Sequence, residues 1–374
     1  MMDIVFPEYN NSILSVTASV LHAYGAPCSH PGLSYLDALM AKPYKNKILL
    51  ILDGMGSCLL DKLLPAESFL WSHKQFDLSS VYPCTTTAAT TSMLSGLAPI
   101  EHGWLGWNAW FREFGRVIDL FLDRDSYSGL SITPSAAQLM LPFADLADLI
   151  GRAAPDKVHC HKVLPPFEAT GVNNMAQMMG RIKGHCLEDG NQLILAYWHE
   201  PDTLMHNEGP YSEAVRQELL AYDQLLAQFS ADMADTLLII TADHGQVEVK
   251  REIYLDEIPE LHECLILPPS LECRSVSFFV KPHRKDYFAA AFNERFGDCY
   301  LLLTREEVFD RGLLGSGTPH PKVDDFIGDY LACATGQTII RYHSLFNRPR
   351  SSFKGHHAGL CAEEMIVPLI IAST

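Results

Sequence analysis

Three stretches of the chain carry unbroken apolar runs of strand length: KILLIL at 47–52, QLILAYW at 192–198 and TLLIIT at 236–241. None alternates apolar with polar positions, which is the pattern of a strand buried on both faces of a parallel sheet. A fourth run, MIVPLII at 365–371, predicts another strand. Pro368 marks an edge or a bulge there, because proline brings no N–H to a ladder. Between the runs the period changes. From Ser212 to Phe229, after the Gly209-Pro210 break, apolar positions recur every three and four residues, which predicts a helix. Strands alternating with helices predict an α/β fold with a mainly parallel central sheet flanked by helices. The stretch from about 250 to 345 differs, with several prolines, a strand-like SVSFFV and a helix-like DYFAAAFNERF. We read it as a cap inserted within a single domain spanning 1–374.

Composition narrows the class. With 48% hydrophobic and 20% charged residues, the chain can bury a substantial core, which excludes a disordered or fibrous protein. A formal charge of −17 repels polyanions at long range, so neither a nucleic-acid coat nor a membrane surface is an expected partner. An anionic substrate needs a local cation to approach. The N-terminus has no basic start or long apolar segment, and no run is long enough to span a bilayer, so a cytoplasmic location is expected. Ten cysteines lie scattered without a Cys-x-x-Cys pair, which suits reduced, buried thiols better than disulfides or a thiolate metal site.

The three core runs share one feature: an acidic residue at or soon after the carboxyl end. These are Asp53 in LLILDGMG, Asp202 in YWHEPDTLMH and Asp243 in IITADHG. Ligands of open parallel sheets bind beyond that end of the strands, so three carboxylates converge on one rim. His206 follows Asp202 by one helical turn, and His244 follows Asp243 directly. Carboxylate oxygen with neutral imidazole nitrogen is a ligand set for zinc that also suits manganese or iron. One of the pair His356 and His357, in the loop KGHHAGL, would close the set. The stretch VYPCTTTAATTSMLSGL at 81–97 reads as a strand end, a turn at Pro83 and a helix of small residues starting near Thr86. A hydroxyl there sits among unpaired backbone N–H groups, an environment for a phosphoryl group. Thr85 and Thr87 are neighbours with the same chemistry.

Charge counting points to two divalent ions. Three aspartates and a threonine alkoxide carry four negative charges, which two dications neutralise, whereas three clustered carboxylates without metal must protonate or separate. Such a site activates a hydroxyl nucleophile for in-line displacement at phosphorus and then activates water against the phospho-threonine that results.

These five elements, in this order, resemble the alkaline phosphatase superfamily, and within it the type I phosphodiesterase/nucleotide pyrophosphatase family. The resemblance rests on ILLILDGMG, VYPCTTTAATTSMLSGLAPIEHG, YWHEPDTLMHNEGP, TADHGQ and GHHAGLCAEEMIVPLI, spanning 47 to 371. It implies an alkaline-phosphatase-like fold with an inserted cap, Thr86 as nucleophile, and two Zn2+ (or Mn2+ or Fe). One metal would be held by Asp202, His206 and His357, the other by Asp53, Thr86, Asp243 and His244. It implies a small phosphate ester as substrate, a nucleotide among the candidates. One position departs from the pattern: where many of these enzymes carry an asparagine three residues after the nucleophile, this chain has Ala89. That keeps a phosphomonoesterase or phosphotransferase as the alternative activity, beside a zinc-binding homologue without turnover. Cys84-Thr85-Thr86-Thr87 lacks the proline and arginine of a sulfatase motif. His102 is assigned to a turn rather than to the metal site. Trp104, Trp107, Trp110 and Phe111 recur at helical spacing and are read as packing residues.

Overall fold

A computed structural model describes residues 2–343 and 352–374. At its centre is a sheet of six strands, β1 (Asn46–Leu52), β2 (Lys74–Ser79), β3 (His159–Val163), β4 (Gln192–Trp198), β5 (Thr236–Thr241) and β6 (Ile366–Ser373), in the order β2-β6-β5-β1-β4-β3. The three unbroken apolar runs are the adjacent strands β5, β1 and β4, almost entirely buried. They pair in parallel, which is where strands apolar on both faces belong. β6 runs antiparallel to both neighbours. Pro368 pairs only toward β2, opposite Asp77, and pairing with β5 begins at Ile370, just past a register shift. The residue without an N–H thus sits where one side of its strand has no ladder, though the strand itself is internal.

Helices flank the sheet. Ile13–Ala23, Thr86–Ser95 and Leu146–Ala153 pack together, as do Met175–Cys186 and the long helix Glu213–Asp232. That long helix begins as its sequence predicts: Ser212 accepts a hydrogen bond from the N–H of Val215, satisfying one of the first-turn donors.

A second, antiparallel sheet has seven strands, in the order Tyr300–Thr304, Tyr330–Ala334, Ser275–Phe278, Ser270–Leu271, Asn108–Phe111, Arg116–Asp119 and Arg124–Asp125. Its own core includes Phe278, Phe288, Phe292 and Phe296, the last three on the helix Lys285–Phe296. The tryptophan segment is not helical: Trp104 and Trp107 lie in the stretch before the strand Asn108–Phe111, and Trp110 and Phe111 lie within it. Trp110 pairs with Val117 across a hairpin whose turn contains Gly115 at φ +61, and Ala109 and Phe111 are buried while Trp110 is half-buried. That period of two overrides the wider spacing of the aromatics. None of the ten cysteines is in a disulfide, and no helix of the described residues is long and apolar enough to cross a membrane.

Candidate active site

Strand register builds the site. Leu52 lies opposite Trp198, and Ile51 opposite both Tyr197 and Thr241, so the chain segments that carry Asp53, Asp202 and Asp243 leave the sheet at one rim. The Asp53 N–H donates to Trp198 O, and the Asp202 N–H to Asp53 O, which locks the two loops together. Gly54 turns the chain at φ +75, and a Cβ on it would lie 2.7 Å from Met205 Cε and 3.0 Å from Asp202 Cα. Only glycine meets both demands. Its N–H donates to Asp243 Oδ1 at 3.1 Å.

The three aspartates are buried, as are His244 and His357. His206 lies 3.3 Å from Asp202 on the short helix Asp202–Glu208. His244 Nε2 is 3.4 Å from Asp53 Oδ1, 3.5 Å from Asp243 Oδ2 and 3.2 Å from Thr86 Oγ1. His357 Nε2 is 3.8 Å from Asp202 Oδ1. Donor atoms of Asp202, His206 and His357 cluster within 4.8 Å of one another, and so do those of Asp53, Asp202 and His244. Asp202 belongs to both groups.

The residues fit metal ions on two observations. Each of the three histidines turns its Nδ1 to a backbone carbonyl: His206 to Gly355 O at 2.8 Å, His244 to Gly245 O at 3.0 Å, His357 to Cys84 O at 3.3 Å. A carbonyl only accepts, so the proton sits on Nδ1 and each Nε2 lone pair points into the cluster, as metal-bound imidazoles are held. In addition, Asp53 Oδ1 and Asp243 Oδ2 are buried with no hydrogen-bond partner among the described residues, a costly state unless a cation faces them.

The electrostatics agree. Burial, then the charges of Asp243 and Asp202, push the Asp53 carboxyl well above its ordinary range. Burial also raises Asp243. For Asp202 burial acts upward too, but His206, His357 and His244 outweigh it and hold the carboxyl below its usual value. Burial and the neighbouring His244 push His357 well down, which keeps it neutral.

Thr86 is the first residue of the helix Thr86–Ser95. Its hydroxyl faces His244, whereas the Thr85 hydroxyl is spent on Glu272 Oε1 at 2.6 Å. Thr87 is buried without a hydroxyl partner among the described residues. Ala89 is fully buried. His356 accepts from the N–H of His357 and is absent from both ligand groups. His102 bonds Ser92 at 3.0 Å from the end of the helix Pro99–His102.

Three contacting residues were not singled out by motif. The Tyr197 hydroxyl donates to Asp53 Oδ2. Gln246 Nε2 donates to Asp202 Oδ1 at 2.5 Å and to its carbonyl at 3.0 Å. Glu272 accepts from Thr85 and from the Trp107 N–H. Gln246 follows the Asp243-His244 pair in TADHGQ and carries a positional signal, Tyr197 stands inside an apolar run, and nothing local marks Glu272.

No curated protein sequence matches this chain. Among solved structures, human ectonucleotide pyrophosphatase / phosphodiesterase 5 is similar at 16% identity and TM-score 0.65, with 87% of each chain covered. The murine protein, in an inactive form in complex with AMP, gives 16% and 0.63 over 87% of each chain. Another murine structure gives 16% and 0.62 over 87% of this chain and 88% of that one. These likenesses show a common fold. A family model described as type I phosphodiesterase / nucleotide pyrophosphatase matches residues 47–295, more than half of the chain, and the chain belongs to that family.

Proposed function

We propose that this chain is a two-metal phosphodiesterase or nucleotide pyrophosphatase that works through a phospho-threonine intermediate on Thr86. The observation that carries the proposal is the convergence of three oriented imidazole Nε2 atoms and two unpartnered carboxylate oxygens beside one threonine hydroxyl. Asp202, His206 and His357 would hold one ion, and Asp53, Thr86, Asp243 and His244 the other, with zinc the best match to the donors. Ions so held supply Lewis acidity, lowering the hydroxyl's pKa and offsetting charge on the phosphoryl oxygens.

The chain's own part in the chemistry follows from its geometry. Thr86 Oγ1 gives up its proton to solvent and attacks phosphorus, the ester or anhydride oxygen departs opposite it and takes up a proton, and water then cleaves the Thr86 phosphoester, carrying off the phosphoryl group and restoring the hydroxyl. Unpaired N–H groups of the first turn face the phosphoryl oxygens. Tyr197 and Gln246 fix the orientation of Asp53 and Asp202. Glu272, within the stretch that begins at about 250, meets Thr85, which supports reading that stretch, as far as residue 343, as a cap over the threonine helix. A nucleotide substrate is the form of this proposal that the AMP-bound murine structure favours.

Buried Ala89 provides no polar group for a phosphoryl oxygen, and this favours keeping a monoester substrate or phosphoryl transfer as the second reading. Turnover of an aryl phosphodiester and of the matching monoester by zinc- and manganese-loaded protein separates the two. The diester is expected to be faster, and the reverse ranking rejects the proposal. Thr86→Ala is expected to lose at least about a thousandfold in kcat, the scale of removing a nucleophile. Undiminished hydrolysis by that variant would move the nucleophile elsewhere.

A further inference from the structure

At the other end of the sheet, away from the aspartates, a second group of donors converges. Strand alternation along the edge strand β3 puts His159 and His161 on one face, while Cys160 packs against the core. The helix Met175–Cys186 lies against β3 and β4 and carries His185 in its last turn, with Glu188 just beyond it. The imidazoles of His161 and His185 stack at 3.9 Å between centroids and 22° between planes. The Glu188 carboxylate serves both: Oε1 is 2.7 Å from His185 Nδ1, and Oε2 is 3.7 Å from His161 Nε2. One donor atom from each of the three residues lies within 4.8 Å of the other two.

A fourth donor comes from below. Gln192, fully buried at the start of β4, places Oε1 at 2.8 Å from His161 Nε2. Its amide nitrogen donates to Asp189 O and Gly190 O at 2.8 and 3.2 Å. Those two carbonyls fix which end of the amide faces the histidine, so an oxygen, not an N–H, points into the cluster. A simple ion pair accounts for one histidine and the glutamate, but leaves a second imidazole stacked face to face on the first. The buried Gln192 oxygen faces the same His161 nitrogen that the Glu188 carboxylate approaches.

We propose that His161, His185, Glu188 and Gln192 bind a divalent transition-metal ion of the zinc type, which pins the edge strand to the end of the helix Met175–Cys186. Ligand bonds of about 2.0–2.2 Å in a tetrahedron separate donors by about 3.3 Å, and the contacts of 2.7, 2.8 and 3.7 Å here lie on either side of that spacing. The ion takes the place of the proton that His161 Nε2 shares with Gln192. Two imidazoles, a carboxylate and an amide oxygen favour zinc, cobalt or nickel over calcium or magnesium. Six strand steps separate Gln192 from Trp198, about 20 Å, so this site is read independently of the catalytic cluster and does not rest on the phosphodiesterase proposal.

The test counts zinc in the full-length protein after equilibrium dialysis at micromolar free zinc. His185→Ala and Glu188→Gln are each expected to hold one zinc per chain fewer than wild type, and to lose the part of the zinc-dependent rise in Tm that this site supplies. The same loss is expected when Glu188→Gln is placed in an Asp202→Asn background, where the other cluster is already impaired. Glu188 is exposed, so its variant remains informative if His185→Ala fails to fold. Equal zinc content in wild type and Glu188→Gln, or binding at these residues only in the millimolar range, overturns the assignment.

Discussion

Asp53 and Asp243 each bury a carboxylate oxygen that meets no partner among the described residues, and both flank the same imidazole nitrogen. Like charges held this way oppose folding until a cation arrives. Asp53→Asn is therefore expected to act with opposite signs in two conditions. In chelator the variant melts at or above the wild-type temperature, because a repulsive charge is gone; with zinc it melts below, because a ligand is gone. A melt that falls equally in both conditions would show that Asp53 is held by protein contacts alone. The three aspartates of the candidate cluster were legible in the sequence because each lies at or soon after an apolar run, with His206 and His244 close behind, whereas His357 lies ahead of the last run in a loop of its own. Tyr197 was hidden inside a run that reads equally well as core. Glu272 was hidden because its partners, Thr85 and Trp107, are more than 160 residues away in the chain.

At the scale of elements, a buried ion pair anchors the end of the loop that brings His357 to the site, beside the hydrogen bonds that Ser275 and Cys84 give to Ala358 O and Gly359 O. Glu364 receives Arg274 through both oxygens at 2.6 Å and also accepts the N–H groups of Gly359 and Cys361; both side chains are fully buried. Removing one partner of such a pair strands the other, at a cost of about 3–5 kcal/mol. Glu364→Ala is expected to lose that much in chemical denaturation and also to bind less zinc, since the loop carrying His357 loses its anchor. Stability within about 1 kcal/mol of wild type would reduce the pair to a bystander. Glu272 supplies a pH test at the same scale. Burial, only partly offset by Thr85 and the Trp107 N–H, pushes its carboxyl up to about 7 from an ordinary 4.5. A raised carboxyl keeps its proton on folding, so its contribution to stability is full below 4.5 and is lost as pH rises through 7. Relative to Glu272→Gln, wild type is expected to lose up to about 3 kcal/mol across that window. Parallel stability curves for the two proteins would place the titration elsewhere. Local pattern predicted the helices beginning at Thr86, Glu213 and Lys285, each with its own periodicity or breaker. It missed the strand Asn108–Phe111, which forms a local hairpin with Arg116–Asp119 and touches Leu271 at one pair, because the aromatics at helical spacing masked its period of two.

Over the whole molecule, the candidate centre gathers residues from Asp53 to His357, joining the ends of β1, β4 and β5 to the last loop before β6. Four strands of the central sheet, β1, β4, β5 and β6, were readable because they are apolar runs that need no knowledge of their partners, whereas β2 and the edge strand β3 are polar and partly exposed and carried no such signal. Of the second sheet only the strand-like SVSFFV was readable, as Ser275–Phe278, since the sheet joins 108–125 to 270–334 in a register that depends on segments far away. This asymmetry sets what metal removal does. The central strands are held by their own ladder and core, whereas the segments 199–209, 242–246 and 353–361 meet mainly at the cluster. Ions bound a thousandfold above their Kd add about 4 kcal/mol per site to the folded state, and that energy is shared among those segments. Hydrogen exchange measured with zinc and again after chelation is expected to accelerate in 199–209, 242–246 and 353–361 while β1 and β5 keep their protection. Acceleration spread evenly over the sheet would mean that metal stabilises the molecule as one unit, and no change anywhere would mean that these loops are ordered without it.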